Sequence, residues 1–109
     1  HACADITTLT ENKNNLQQYK TISIDDFVKD NKIEKIDFIK MDIEGCELKA
    51  LQGAINTLKK YKPKLAIAAY HKYEDYYEIP KFLNELDIGY KFYFTNYTLG
   101  FTDTVIYAK

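Results

Sequence analysis

In IDFIKMD, residues 36–42, the apolar positions Ile36, Phe38, Ile39 and Met41 leave Lys40 as the one clear solvent-tolerant site. A run of this length and density predicts a largely buried strand that ends at Asp42. From Cys46 onward the period changes. Leu48, Leu51, Ile55 and Leu58 recur at spacings of three and four, which gathers them on one stripe of a single helix. Lys49, Gln52, Asn56, Lys59 and Lys60 take its wet side, and the lysines of the last turn complement the negative helix end. Pro63 follows, and the small and branched residues of KLAIAAY, Lys64 to Tyr70, predict a second buried strand.

This strand, helix and strand are flanked on both sides. Upstream, Ser23 with Asp26 three residues later reads as a helix N-cap with acid in the first turn, and Phe27 and Val28 anchor the short helix. Downstream, Ile79, Phe82, Leu83 and Leu86 mark one face of a further helix. Pro80 is tolerable only near its first turn, and Gly89 supplies its stop. The tail YKFYFTNYTLGFTDTVIYAK holds two alternating runs separated by Asn96 to Asp103, which read as an antiparallel hairpin with a long loop. Residues 1–19 are rich in Asn, Gln and Thr with little periodicity, and read as a loop or frayed arm.

Composition narrows the picture mostly by exclusion. At 109 residues the chain forms at most one small domain, short for an enzyme that must also enclose a cofactor. Apolar residues make up 46%, with ten Tyr and six Phe, so a globular core rich in ring packing is expected rather than disorder. The 15 basic and 16 acidic residues nearly cancel and leave no electrostatic footprint for nucleic acid or an anionic membrane. No apolar run approaches the ~20 residues that span a bilayer, and HACADITTLTENKNN is too polar for a signal peptide, so the chain as given is expected to be soluble. Cys3 and Cys46 lack any metal-binding spacing and suit a reducing cytoplasm better than a disulfide-stapled secreted domain. His1 is an odd first residue for a translated chain, which raises the expectation of a missing upstream half.

Chemistry concentrates at one corner. A strand, helix and strand with short connections imply parallel neighbours joined by a right-handed crossover, so both strands end on the same edge. Asp42 closes the first strand and His71 follows the second, and neighbouring strands are about 5 Å apart. The two groups therefore share the rim where open α/β sheets bind ligands. Each has a plainer reading: Asp42 and Glu44 as helix caps, His71 as a surface imidazole. Gly45, a poor helix former at a helix start, fits either a close approach of ligand or backbone, or a plain tight turn. Gly53, in mid-helix, reads as close helix-to-sheet packing. Tyr70, Tyr73, Tyr76 and Tyr77 read as packing residues without chemistry. Asp42, Glu44 and His71 are oxygen and imidazole ligands on one rim, yet three ligands from two loops make a thin metal site, and no metal is expected.

The segment IDFIKMDIEGCELKALQGA resembles the signature of the FkbM-type methyltransferases, an apolar strand running into Lys-x-Asp-x-Glu-Gly-x-Glu before a helix. Lys40, Asp42, Glu44, Gly45 and Glu47 fall on that pattern, and the likeness continues through AAYHKYEDYYEIPKFLNEL and the closing hairpin, over residues 20–108. Asn96 stands where relatives often carry His, so no imidazole role is implied for the hairpin. The resemblance implies an α/β fold over residues 20–109: the C-terminal half of a Rossmann-like methyltransferase sheet, with parallel strands, crossover helices and a terminal antiparallel hairpin. It also implies transfer of a methyl group from S-adenosylmethionine to a hydroxyl of a sugar or natural product. Asp42 and His71 would be catalytic, and Asp42, Glu44 and Gly45 would bind the cofactor. The acceptor would be a small molecule or glycan, with neither nucleic acid nor membrane as partner. The family's glycine-rich donor loop is absent, since Gly45, Gly53, Gly89 and Gly100 are scattered without G-x-G spacing, so weak donor binding by the chain alone is expected. A sheet cut at one side exposes an edge strand, from which self-association is expected. A non-catalytic α/β binding or assembly module is the alternative.

Overall fold

The computed structural model describes residues 21–96 and 104–109. The residues read as a loop or frayed arm lie outside that range, as do residues 97–103 of the expected tail loop, whereas its first residue, Asn96, ends a strand. The elements run α1 (Ile24–Asp30), β1 (Phe38–Met41), α2 (Glu47–Gln52), α3 (Ile55–Tyr61), β2 (Lys64–Ala68), α4 (Asp75–Glu85), β3 (Phe92–Asn96) and β4 (Thr104–Ala108).

The four strands form one mixed sheet in the order β1-β2-β4-β3. β1 and β2 are parallel, with Met41 opposite Ile67, as the short connections through α2 and α3 demand. β3 and β4 form the expected antiparallel pair, and β4 also pairs antiparallel with β2, which inserts it between β2 and β3. This is a mixed α/β architecture of the kind found in part of a Rossmann-like fold. Alternation along the strands sends Met41, Leu65, Ile67, Ile106 and Ala108 to one face, where they meet Leu51, Leu58, Ile79 and Leu83 from the helices in a single core. Lys40, Ala66, Ala68, Val105 and Tyr107 take the opposite face and line a cleft of about 400 Å³. The expectation of a largely buried first strand therefore needs correcting. β1 is only four residues long and lies at the sheet edge, and Phe38 remains 55% exposed.

α1 begins as expected, with Ser23 Oγ accepting the Asp26 N–H at 3.1 Å. Its anchor differs: Phe27 is exposed, while Ile24 packs on the core. Asp25 contributes more, because its carboxylate accepts the Asn56 N–H at 3.0 Å, the Thr57 N–H at 2.8 Å and the Thr57 hydroxyl at 2.7 Å. It thereby caps α3, whose own N-cap, Ala54, has no capping side chain.

The single helix expected after Cys46 is two helices, broken at Gly53 and Ala54. α1 docks at the break. The Asp25 N–H donates to the Gly53 carbonyl at 2.9 Å, and a Cβ on Gly53 would lie 3.1 Å from Ser23 Cβ. Gly53 thus permits close packing, but against the start of α1 rather than the sheet. α4 also departs from expectation. It starts at Asp75, which places Pro80 in the helix interior rather than its first turn. The cost of a proline there, about 3 kcal/mol, is set against complete burial of Ile79 and Leu83 on the core side.

Two further features bear on setting. Among the described residues no helix is long and apolar enough to cross a membrane. Cys46 is disulfide-bonded, so the expectation of a free thiol there is not met, and a reducing compartment gains no support from it.

Candidate functional site

Past Met41 the chain leaves the sheet and turns tightly, with Glu44 at φ 59° and Gly45 at φ 93°. The left-handed region costs an L-residue roughly 1–2 kcal/mol, so this turn is held by its surroundings. One support is Gly45 itself, where an added Cβ would lie 3.1 Å from Lys72 Cε and 3.6 Å from His71 Cβ. The glycine lets the turn after β1 sit directly against the residues that follow β2. Another is Glu47, whose Oε1 accepts the Ile43 N–H at 2.9 Å.

That hydrogen bond corrects the capping reading. Neither Asp42 nor Glu44 caps α2; the N-cap is Cys46, with no side-chain cap, and Glu47 reaches back to the turn instead. Asp42 faces across the rim, where its Oδ1 accepts the Tyr70 hydroxyl at 2.9 Å and lies 3.1 Å from His71 Nε2. Glu44 Oε2 stands 3.7 Å from His71 Nδ1. The hydrogen bonds from His71 and then Tyr70 hold the Asp42 carboxyl below the ordinary carboxylate range, despite an opposing contribution from burial. An ionised carboxylate only accepts hydrogen bonds, so His71 Nε2 carries the proton toward Asp42. In the neutral ring, Nδ1 is then left as a proton acceptor.

The structure therefore brings Asp42, Glu44 and His71 together and places Gly45 beside them as the hinge of the turn. Tyr70, read from sequence as packing, belongs to the site: its hydroxyl holds Asp42 and its ring lies 4.0 Å from that of His71, centroid to centroid. Tyr73 and Tyr77 are exposed. Asp42 and Tyr70 also stand at one end of the cleft over Ala66, Ala68 and Tyr107.

Behind the rim lie two acids that the sequence reading left out of the site. Glu47 is wholly buried and Asp75 is 3% exposed. Burial first, and the Glu47 charge second, push the Asp75 carboxyl up, with Lys72 and His71 acting in the other direction. Glu47 was marked by the Asp-x-Glu-Gly-x-Glu spacing, whereas no pattern marked Asp75 within its tyrosine-rich stretch.

Over residues 3–92 the sequence matches the model of the methyltransferase FkbM domain. The chain belongs to the FkbM methyltransferase family. The crystal structure of the methyltransferase FkbM from Methylobacillus flagellatus KT is similar, with 38% sequence identity and a TM-score of 0.65, over 73% of this chain and 22% of that one. The FkbM chain described here thus spans about a fifth of that protein's length. No curated protein matches. Asp42, Glu44, Gly45, Glu47, Tyr70, His71 and Asp75 all fall within the FkbM match, and β4 lies beyond it.

Proposed function

We propose that this FkbM domain takes part in S-adenosylmethionine-dependent O-methyl transfer, with a hydroxyl of a small molecule or glycan as acceptor. The observation that carries the reading is the Asp42–His71 pair on the rim, Asp42 Oδ1 3.1 Å from His71 Nε2, beside the cleft that Asp42 and Tyr70 line. The donor supplies an electrophilic methyl group on a sulfonium cation. The residues present suit such a cation: the Asp42 carboxylate offers charge, the Tyr70 ring offers an aromatic face, and Ala66 and Ala68 leave room above the sheet. Asp42, Glu44 and Gly45 are assigned to hold the donor, with Gly45 keeping the turn close to His71.

His71 acts on the acceptor. Its Nδ1 takes the hydroxyl proton as the oxygen becomes nucleophilic, while Asp42 fixes the ring through Nε2–H and Tyr70 fixes Asp42. The test is methyl transfer from isotopically labelled S-adenosylmethionine to a panel of hydroxyl compounds, comparing the wild type with His71→Gln. A general base contributes typically about 10²–10⁴-fold, so kcat is expected to fall by that order. Turnover that survives the substitution removes His71 from this role.

A further inference from the structure

We propose that Asp42, Glu47 and His71 form a binding site for a divalent transition-metal ion, held between the ends of β1 and β2. One carboxylate oxygen from each acid and one ring nitrogen of His71 lie within 4.8 Å of one another. An ion about 2.0–2.2 Å from each ligand is reached by small side-chain adjustments on this spacing.

Proximity of acids on a surface says little by itself, and Glu47 supplies what proximity lacks. It is completely buried, its Oε1 is satisfied by Ile43, and its Oε2 is sealed from solvent with no hydrogen-bond partner among the described residues. Asp75 nearby has the same condition at Oδ2. A buried carboxylate oxygen left unsatisfied is strongly disfavoured unless a cation or a proton meets it. The sequence contains no arginine, and among the described residues no lysine forms an ion pair with either acid. One carboxylate oxygen of Glu47 lies within 4.8 Å of the ligand atoms of Asp42 and His71, so a metal ion held there would offset the buried charge of Glu47.

The donor set names the class of ion. One imidazole with two carboxylates suits Mn²⁺, Co²⁺ or Zn²⁺, where an all-oxygen set would suit Ca²⁺ or Mg²⁺. His71 binds the ion through Nε2, the nitrogen beside Asp42. The ring proton then moves to Nδ1, where Glu44 Oε2 at 3.7 Å is placed to accept it, so the exchange neither gains nor loses a proton. Glu47, rather than the Glu44 weighed from sequence, is the third ligand. The site stands on these residues alone and does not rest on the methyl-transfer reading.

The test is calorimetric titration of chelator-stripped protein with Mn²⁺ and Co²⁺, without donor or acceptor, with folding checked by circular dichroism. One ion per chain is expected, with affinity lowered by roughly 10-fold or more in both Asp42→Asn and Glu47→Gln. Asp42 is half exposed, so its variant keeps the test valid even if the buried Glu47→Gln fails to fold. Asp37→Asn, an exposed acid at the other end of β1, is expected to bind as the wild type does. Absence of binding by the wild type, or an affinity that Asp42→Asn leaves unchanged, overturns the site.

Discussion

Asp25 does at α3 what the sequence suggested for Asp42 and Glu44 at α2. Burial would push its carboxyl up, but the bonds from Thr57 and Asn56 outweigh it and hold the group below its ordinary value of 3.8. A carboxyl lowered in the fold stabilises it above the unfolded value, and that contribution is lost as pH falls through the lowered one. Asp25→Ala is therefore expected to cost about 1–2 kcal/mol at neutral pH. In denaturant titrations the gap between wild type and variant should close as the pH is taken below 3.8; a gap independent of pH would contradict the role. Asp42 and His71 were legible as a pair because each directly follows a recognisable strand. Asp25 was not, since its partner Asn56 is 31 residues away and no periodicity links them. Tyr70 was hidden for a different reason: in a chain with ten tyrosines, one that holds a carboxylate looks like the rest.

At the scale of elements, residue patterning found the described strands and helical segments but read α2 and α3 as one helix and ran β1 past both of its ends. The stripe from Leu48 to Leu58 is continuous in sequence because both halves of the helix pair face the same core, so the break at Gly53 leaves no mark on it. The break coincides with the docking of α1 on Gly53, and that contact is tertiary. The turn after β1 was better announced, because a glycine at a helix start is costly without a reason. Here the reasons are a φ of 93° and the side chains of His71 and Lys72 close by. Gly45→Ala is accordingly expected to destabilise the protein by about 1–2 kcal/mol in chemical denaturation and to loosen the contact between Asp42 and His71. Unchanged stability would mean that the turn relaxes freely and does not hold the rim.

Across the whole molecule, the parallel β1–β2 pair and its shared rim followed from connection length alone, as did the antiparallel tail. The placement of β4 between β2 and β3 did not, because alternation in β4 specifies two faces but not which neighbours it pairs with. That placement sets Val105 and Tyr107 beside Ala66 and Ala68, and so completes the cleft that ends at Asp42. The central claim is that this end of the cleft receives the methyl donor. Its most direct test is calorimetric titration of S-adenosylmethionine into the wild-type protein and into Asp42→Ala. Weak, measurable binding is expected for the wild type, reduced by roughly 10-fold, about 1.4 kcal/mol, in the variant. Absence of binding to the wild type, or equal affinity in the two proteins, would contradict it.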